Sequence, residues 1–435
     1  YFRLRHISQQ TEEMQGALVN DMWADLEGIT PSLVESTLSS MPAPADAGAA
    51  AAPASPPPGA PHLPGGVLSL AQIDFFRTHG FLVVPGVLSP EQVAEAQDGM
   101  RRSLLDRAGV DASSTEQLQK TKLGLRKLSS TNGAGGVLDL FYERWKLRVT
   151  LENETYATIC KELFASTYAS YDNDLEENAE NTLWAHPYGK FDPMTDGIWA
   201  HVDRMGFRVP DSVAEHTSNK KNKKTLIQRS LTPHLDCCPT EMHAGGGKVF
   251  PRWRPIQCFL SLSHTTAQDH GGFECVPGFH KEFEEYYAGK RPPRGNQIKE
   301  AAGLDEPTTL PCVGDYVHVR PNEDAEVIRR FVHVPVPAGA AVFWDQRLPH
   351  ANARWNKGKE PRSVVYGGFL PRGKGIFINQ AYAKEQLRRL KEGRAQPDFW
   401  LHEKERSAPW GLGGEEGAAS ALFASLSVGA VNMLK

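Results

Sequence analysis

The sequence predicts a mainly β fold with flanking helices (α+β), whose strands form a sandwich or barrel rather than a parallel sheet. Beyond about residue 225, short apolar runs such as "PIQCFLSLS" and "RSVVYGGFLP" are separated by Gly, Pro, Asp and Asn, as in strands joined by turns. Two capped helices precede this region, and a helical pattern with a basic face follows it at residues 379–395.

The first predicted elements are a helix, a strand and a second helix. Ser69 and Gln72 form a capping-box pattern, and Gly80 ends the first helix before the β-like run "FLVVPGVL". The run "SPEQ" at residues 89–92 repeats the capping pattern with proline at the first helical position. We therefore expect a helix–strand–helix unit at the start of the main domain.

Composition divides the chain of 435 residues into four segments. In residues 1–40, apolar residues recur at spacings of four, which predicts an amphipathic helical extension. Residues 41–66 are so rich in Pro, Ala and Gly that they can neither build a core nor continue a helix, and we interpret them as a linker. Residues 67–400 contain the main domain with helical insertions, and residues 401–435 form a C-terminal tail.

Charge and cysteine content restrict the partners and the compartment. The formal net charge of −4 gives no general attraction to nucleic acid, and no run approaches the roughly 18 apolar residues of a membrane span. Six cysteines without a CxxC pair indicate reduced thiols, so we expect an intracellular, cytoplasmic protein. The lysine-rich run at residues 218–229 is interpreted as a solvated loop, with a phosphate or RNA contact as the alternative.

A possible metal site begins in the run "LTPHLDCCPT". On a strand, His234 and Asp236 point to the same side, so an imidazole and a carboxylate can approach one ion. His350, after the apolar run "GAAVFWD", is the candidate for a third ligand. Two imidazoles and one carboxylate on one face leave three open positions, as in non-haem Fe(II) oxygenases. The alternative is that these are ordinary structural polar residues.

Four blocks of this chain resemble the phytanoyl-CoA dioxygenase family of Fe(II)- and 2-oxoglutarate-dependent oxygenases. They are "FFRTHGFLVVPGVLSPEQVAEA", the His234-x-Asp236 pair, "IQCFLSLSHTTAQDHGGFECVPGFHKEF" and "AGAAVFWDQRLPHANARWNKGKEPRSVVY", which follow one another in the family's order between residues 69 and 366. The resemblance implies a double-stranded β-helix, a jelly-roll or cupin-like barrel, over residues 67–400. Two features depart from the family pattern, namely an insertion at 285–330 and the segment 140–230.

A second His-x-Asp pair, His201 and Asp203, competes for the role of metal site. We favour His234 because it precedes the segment Pro277-Gly278-Phe279-His280 at the interval that the family shows, whereas "RMGFRVPDS" follows the second pair. His201 could still line the pocket.

The resemblance also implies a binding site for 2-oxoglutarate. Arg362 matches the family's arginine, whose planar guanidinium holds the far carboxylate through two hydrogen bonds. Arg354 and Arg372 are competitors, but their loop and post-proline positions favour solvent exposure. Gln257 and Asn352 could touch the cosubstrate, although ordinary strand and turn polarity explains them equally well.

The activity implied by the family uses Fe(II), 2-oxoglutarate and O2, with ascorbate as a reductant. We expect hydroxylation of an aliphatic carbon of a small or medium organic substrate, with release of succinate and CO2. The catalytic residues would be His234, Asp236 and His350. Two alternatives stay open: a catalytically silent barrel that acts as a binding or scaffold protein, and an oxygenase that acts on a protein or nucleic acid.

Overall fold

The computed structural model describes residues 66–129, 133–170, 184–186, 191–192, 194–217, 224–237, 239, 253–287, 317–321, 323–373, 378–392, 422 and 424–434. The predicted extension, nearly all of the linker, the lysines at 220–223 and most of the tail and of the 285–330 insertion lie outside these residues. The boundaries of the predicted segments therefore stay predictions.

Helices flank the sheets along the described chain. They are α1 (Leu70–His79), α2 (Pro90–Ala108), α3 (Thr115–Thr121), a 3-10 helix (Lys122–Leu128), α4 (Arg144–Thr150), α5 (Glu154–Thr167), α6 (Asp211–Ala214), a 3-10 turn (Phe279–Lys281), α7 (Phe283–Glu285), α8 (Ala325–Ile328), α9 (Ile378–Lys391) and α10 (Val428–Leu434). Of these described helices, none is both long and apolar enough to cross a membrane.

The strands are mostly short. They are β1 (Phe81–Val84), β2 (Val137–Leu138), β3 (Tyr168–Ser170), β4 (Trp184–His186), β5 (Gly197–Arg208), β6 (Glu215–Thr217), β7 (Lys224–Leu226), β8 (His234–Leu235), β9 (Ile256–Ser261), β10 (Phe273–Cys275), β11 (Val317–His318), β12 (Val332–His333), β13 (Ala341–Asp345), β14 (His350–Asn352) and β15 (Arg362–Arg372).

The initial helix–strand–helix prediction is confirmed. Both α1 and α2 begin with a capping box. The serine side chain accepts a hydrogen bond from the backbone N–H of the glutamine at N3, and the glutamine side chain accepts one from the backbone N–H of the serine. Gly80 ends α1 in the left-handed conformation, with φ of 78°. The chain then enters β1, which pairs with β13 at the edge of the larger sheet.

Two antiparallel sheets form the centre of the described structure. The larger sheet has six strands in the order β1-β13-β9-β15-β5-β2, and the smaller has five in the order β11-β8-β14-β10-β12. The pairs β5–β15, β8–β14, β9–β13 and β10–β12 are all antiparallel and nested one inside the next along the chain. The prediction of antiparallel sheets with flanking helices is therefore confirmed.

The two sheets pack face to face through aromatic side chains. Phe259 of β9 lies 5.8 Å from Phe273 of β10, measured between ring centroids. Trp344 of β13 lies 5.0 Å from Phe273 and 5.1 Å from His350 of β14. Residues of both sheets belong to one hydrophobic core, so the space between the sheets has an apolar wall.

Helices pack on the larger sheet and form hydrogen bonds with its backbone. Tyr156 of α5 donates to the Gly367 carbonyl at 2.7 Å and packs on Phe343 of β13. The Gln386 amide of α9 accepts from the Val202 backbone at 3.1 Å and donates to the Ala200 carbonyl at 2.8 Å. The glutamine side chain thus satisfies backbone groups of β5 that would otherwise be buried without partners.

Gly80 and Gly86 provide a matched test of packing at the entry to the larger sheet. Both have positive φ, 78° and 71°, but a Cβ on Gly80 would lie 2.4 Å from His280 Nδ1, whereas one on Gly86 would meet nothing within 4 Å. Gly86→Ala should cost about 1–2 kcal/mol of unfolding free energy through backbone strain alone. Gly80→Ala should lower the unfolding free energy by about 1–3 kcal/mol more than Gly86→Ala, because the added methyl group would have to displace the buried ring of His280.

Urea denaturation of the two variants measures this difference directly. Equal losses in both would contradict the tight contact between the end of α1 and His280.

Candidate metal centre

Three potential metal ligands converge on the inner face of the smaller sheet. His234 of β8 and His350 of β14 are directly opposite each other in the register, so their side chains share a face. Asp236 follows two residues after His234. One donor atom from each of the three lies within 4.8 Å of the others, and no other such group occurs among the described residues.

The tautomer of each histidine is set by a local hydrogen bond. His234 Nδ1 lies 2.7 Å from the Thr232 carbonyl, and His350 Nδ1 lies 3.0 Å from the Leu348 carbonyl. Because a carbonyl oxygen can only accept, each Nδ1 carries the proton and each Nε2 keeps its lone pair. Both Nε2 atoms lie 3.5 Å from the carboxylate of Asp236, so all three available donors face one point.

The electrostatics suit a cation. Burial and the neighbouring His350 lower the pKa of His234 to about 3, so this imidazole is neutral at neutral pH. Burial would raise the pKa of the Asp236 carboxyl, but the neighbouring side chains of His234, His350 and Arg254 hold that pKa well below its usual range. A neutral imidazole and an ionised carboxylate are the protonation states that metal ligands require.

Two other side chains approach the carboxylate of Asp236 besides the two histidines. Gln257 Nε2 donates to Asp236 Oδ2 at 2.8 Å, and Arg254 Nη2 lies 3.8 Å from the same oxygen. The Asp236 side chain is 27% exposed, whereas those of His234 and His350 are 2% and 6% exposed. Solvent therefore reaches the triad from the side of the carboxylate.

Gln257 contacts the triad directly. Its amide nitrogen donates to Asp236, while its Oε1 atom has no hydrogen-bond partner among the described residues, and its contact with a cosubstrate stays a prediction. Asn352 shares the inner face with His350, and its buried Nδ2 atom likewise has no partner within the described ranges.

Arg362 is buried at the start of β15. Its Nη1 donates to the Tyr366 hydroxyl at 3.4 Å, and its guanidinium lies 5.5 Å from the Phe259 ring centroid. Its Nε and Nη2 atoms have no hydrogen-bond partner in the part of the chain that the structure describes. A buried cation with two unsatisfied donors is costly, so this geometry suits an anionic ligand that would accept from both.

The other arginines near this strand already have partners. Arg208, opposite Arg362 on β5, donates to the carbonyls of Ala353 and Arg354. Arg354 stacks on Trp355 at 4.7 Å, and the exposed Arg372 stacks on Trp199 at 4.1 Å.

The second His-x-Asp pair lies on β5 and has other contacts. The ring of His201 stacks on Tyr382 of α9 at 5.7 Å. Asp203 forms ion pairs with Arg204 at 3.6 Å and with Arg254 at 3.4 Å. Neither residue belongs to the group of converging donors found in the described residues.

Arg254 is the residue at this site that sequence reasoning missed. It lies in the segment before β9 and approaches both Asp203 and Asp236, although no motif marks it. For Gln257 in the following strand, the sequence did carry a signal. Alternation along "IQCFLS" places Gln257 on the same face as Phe259.

The chain matches one family model and several solved structures. The model of the phytanoyl-CoA dioxygenase (PhyH) family matches residues 76–364, which is more than half of the chain. Among curated proteins, no match in sequence was found.

Three structural neighbours show the fold at low sequence identity. A hypothetical protein from Escherichia coli is 16% identical with a TM-score of 0.52, covering 99% of this chain and 92% of its own. A putative oxidoreductase from Salmonella typhimurium LT2 is 15% identical with a TM-score of 0.51, covering 84% and 82%. The product of GlcNAc Inducible Gene 2 from Candida albicans is 14% identical with a TM-score of 0.51, covering 83% and 79%.

The two His-x-Asp pairs can be distinguished by metal titration. His234→Ala removes an Nε2 donor from the converging group, so the affinity for Co(II) or Fe(II), measured by anaerobic calorimetry, should fall by at least about a hundredfold. His201→Ala is the matched control, because it removes a buried histidine from the other pair. The assignment is wrong if His201→Ala abolishes metal binding and His234→Ala leaves it intact.

Proposed function

The chain belongs to the phytanoyl-CoA dioxygenase family of Fe(II)- and 2-oxoglutarate-dependent oxygenases, and we propose that it hydroxylates an aliphatic carbon of a small or medium organic substrate, releasing succinate and CO2. The enzyme is an oxidoreductase of the 2-oxoglutarate-dependent class. The observation that carries the finer proposal is the convergence of two imidazoles and one carboxylate within 4.8 Å.

We interpret the two facing sheets as the two layers of a double-stranded β-helix. Strands β5, β9, β13 and β15 lie in one sheet, and β8, β10, β12 and β14 lie in the other. In these nested antiparallel pairs, each of the four strands that come first in the chain pairs with one of the four that come later, which is the pattern of a jelly roll. This topology supports a barrel whose interior contains the candidate metal centre.

The donor set fits Fe(II) with positions left for two further ligands. His234, Asp236 and His350 would hold the metal, and bound iron with 2-oxoglutarate supplies the activation of O2 for C–H hydroxylation. Ascorbate as a reductant stays a prediction. Because Asp236 supplies a carboxylate ligand, no position is vacated for a halide, so hydroxylation or desaturation is expected rather than halogenation.

The rest of the cavity supports the binding of a dianionic cosubstrate. Arg362 offers two unpaired donors to the far carboxylate, and the Asn352 amide offers one more. The rings of Phe259, Phe273 and Trp344 pack between the sheets and form an apolar wall beside this site. Next to such a wall, charge-assisted hydrogen bonds to a carboxylate are stronger than in water.

Succinate formation tests the proposed class of reaction. The wild-type protein with Fe(II), 2-oxoglutarate and O2 should form succinate even without its substrate, at the low rate of uncoupled turnover, and His350→Ala should form none. Succinate is measured by mass spectrometry with labelled 2-oxoglutarate. Failure of the wild-type protein to exceed the His350→Ala background would support the silent barrel instead.

Arg362 is tested by the affinity for 2-oxoglutarate. Arg362→Ala removes two charge-assisted hydrogen bonds, each worth about 1.5–3 kcal/mol, so the affinity should fall by at least about a hundredfold. Arg362→Lys should recover only part of it, because an ammonium cannot form the paired contact. The metal-to-ligand charge-transfer band of the iron-loaded protein reports the titration.

Arg372→Ala is the control for this experiment, since it removes an exposed arginine from the other end of β15. Unchanged affinity in Arg362→Ala, or a comparable loss in Arg372→Ala, would mean that another residue binds the far carboxylate.

A further inference from the structure

The second His-x-Asp motif is connected to the candidate metal centre through Arg254. Arg254 Nη1 lies 3.4 Å from Asp203 Oδ2, and Arg254 Nη2 lies 3.8 Å from Asp236 Oδ2. One guanidinium thus faces two carboxylates, one on β5 and one directly after β8, and its side chain is only 12% exposed. In the described part of the chain, it forms ion pairs with these two acids alone.

Asp203 is held in place independently of Arg254. Its Oδ1 atom accepts a hydrogen bond from the Arg204 backbone at 2.7 Å, and its own backbone carbonyl accepts one from the buried ammonium of Lys146. Arg204 is anchored in turn by the fully buried Asp139 at 2.8 Å. The carboxylate of Asp203 therefore has a fixed position beside Arg254, with Oδ2 left for the guanidinium.

A guanidinium and a metal ion compete for the same carboxylate oxygens. The Oδ2 atom of Asp236 already accepts from Gln257, and a full ion pair with Arg254 would engage the carboxylate further. A partly buried arginine that had lost its other partner would have a strong drive to form that pair, because a buried unpaired charge is costly. Asp203, by neutralising Arg254, removes this drive.

We propose that Asp203 is a positioning residue, which keeps Arg254 from capturing the metal ligand Asp236. This inference rests on the proposed function, because it takes the triad to be a metal site. It gives the second His-x-Asp motif a role in metal binding although neither of its residues is a ligand. The metal site then includes, besides the triad, a second carboxylate and an arginine whose charges balance each other.

The inference is tested by loss and rescue of metal affinity. In Asp203→Asn, Arg254 keeps Asp236 as its only acid partner, so the affinity for Co(II) in anaerobic calorimetry should fall by about 10–100-fold. In the double variant Asp203→Asn/Arg254→Met, the competing cation is gone, and the affinity should return close to the wild-type value. The visible absorption of bound Co(II) should change and recover in parallel.

Asp211→Asn is the matched control. Asp211 is, like Asp203, 20% exposed and paired with an arginine of β5, but its partner is Arg208 and it does not approach Asp236. Its loss should leave the Co(II) affinity and spectrum unchanged, even if the melting temperature falls.

The outcomes separate this inference from the proposed function. If the wild-type protein binds Co(II) no better than His234→Ala, the proposed metal site itself is wrong. If the wild-type protein binds well and Asp203→Asn binds equally well, the positioning role is wrong. A loss in Asp203→Asn without recovery in the double variant would also overturn it, because it would show that Asp203 supports only the local structure.

Discussion

The direct pairing of His234 with His350 is the constraint on which the rest of the site depends. The two strands that carry them are only two and three residues long, so their own hydrogen bonds define the register weakly. A slip by one residue would turn one imidazole to the opposite face. Contacts with β10, on the other edge of β14, hold the register. Cys275 of β10 pairs with His350, and the Pro349 carbonyl accepts a hydrogen bond from the Val276 backbone.

The short turn that connects β13 to β14 is held by a buried ionic cluster. Arg347 pairs with Asp345 at 2.9 Å, and the Tyr168 hydroxyl donates to the same carboxylate at 2.5 Å. Asp345 ends β13 and Arg347 lies in the turn to β14, which delivers His350 to the site, whereas Tyr168 belongs to β3. A buried pair contributes little net stability, but it specifies one conformation of the turn, and the position of the histidine depends on that conformation.

Sequence patterns predicted the parts of the structure that local chemistry determines. Capping boxes at Ser69 and Ser89 and the turn-broken strands needed only neighbouring residues, and the order of motifs identified the family. The contacts of Gln257 and Arg254 could not be predicted in this way. Arg254 reaches an acid 51 positions away, and that contact exists only after β5, β15 and β9 have come together in the larger sheet. The ligand roles of His234, Asp236 and His350 stay predictions.

Charges of opposite sign lie beside the space between the sheets, and they bear on how this space would orient its ligands. The carboxylate of Asp236, with Asp203 on the other side of Arg254, attracts a cation. Arg362 has two donors without partners among the described residues, and these attract an anion. A dianion that bridges a metal and Arg362 would match both charges, and aromatic rings pack beside His350. Asp236 is the most exposed member of the triad, so we expect a substrate to approach from its side.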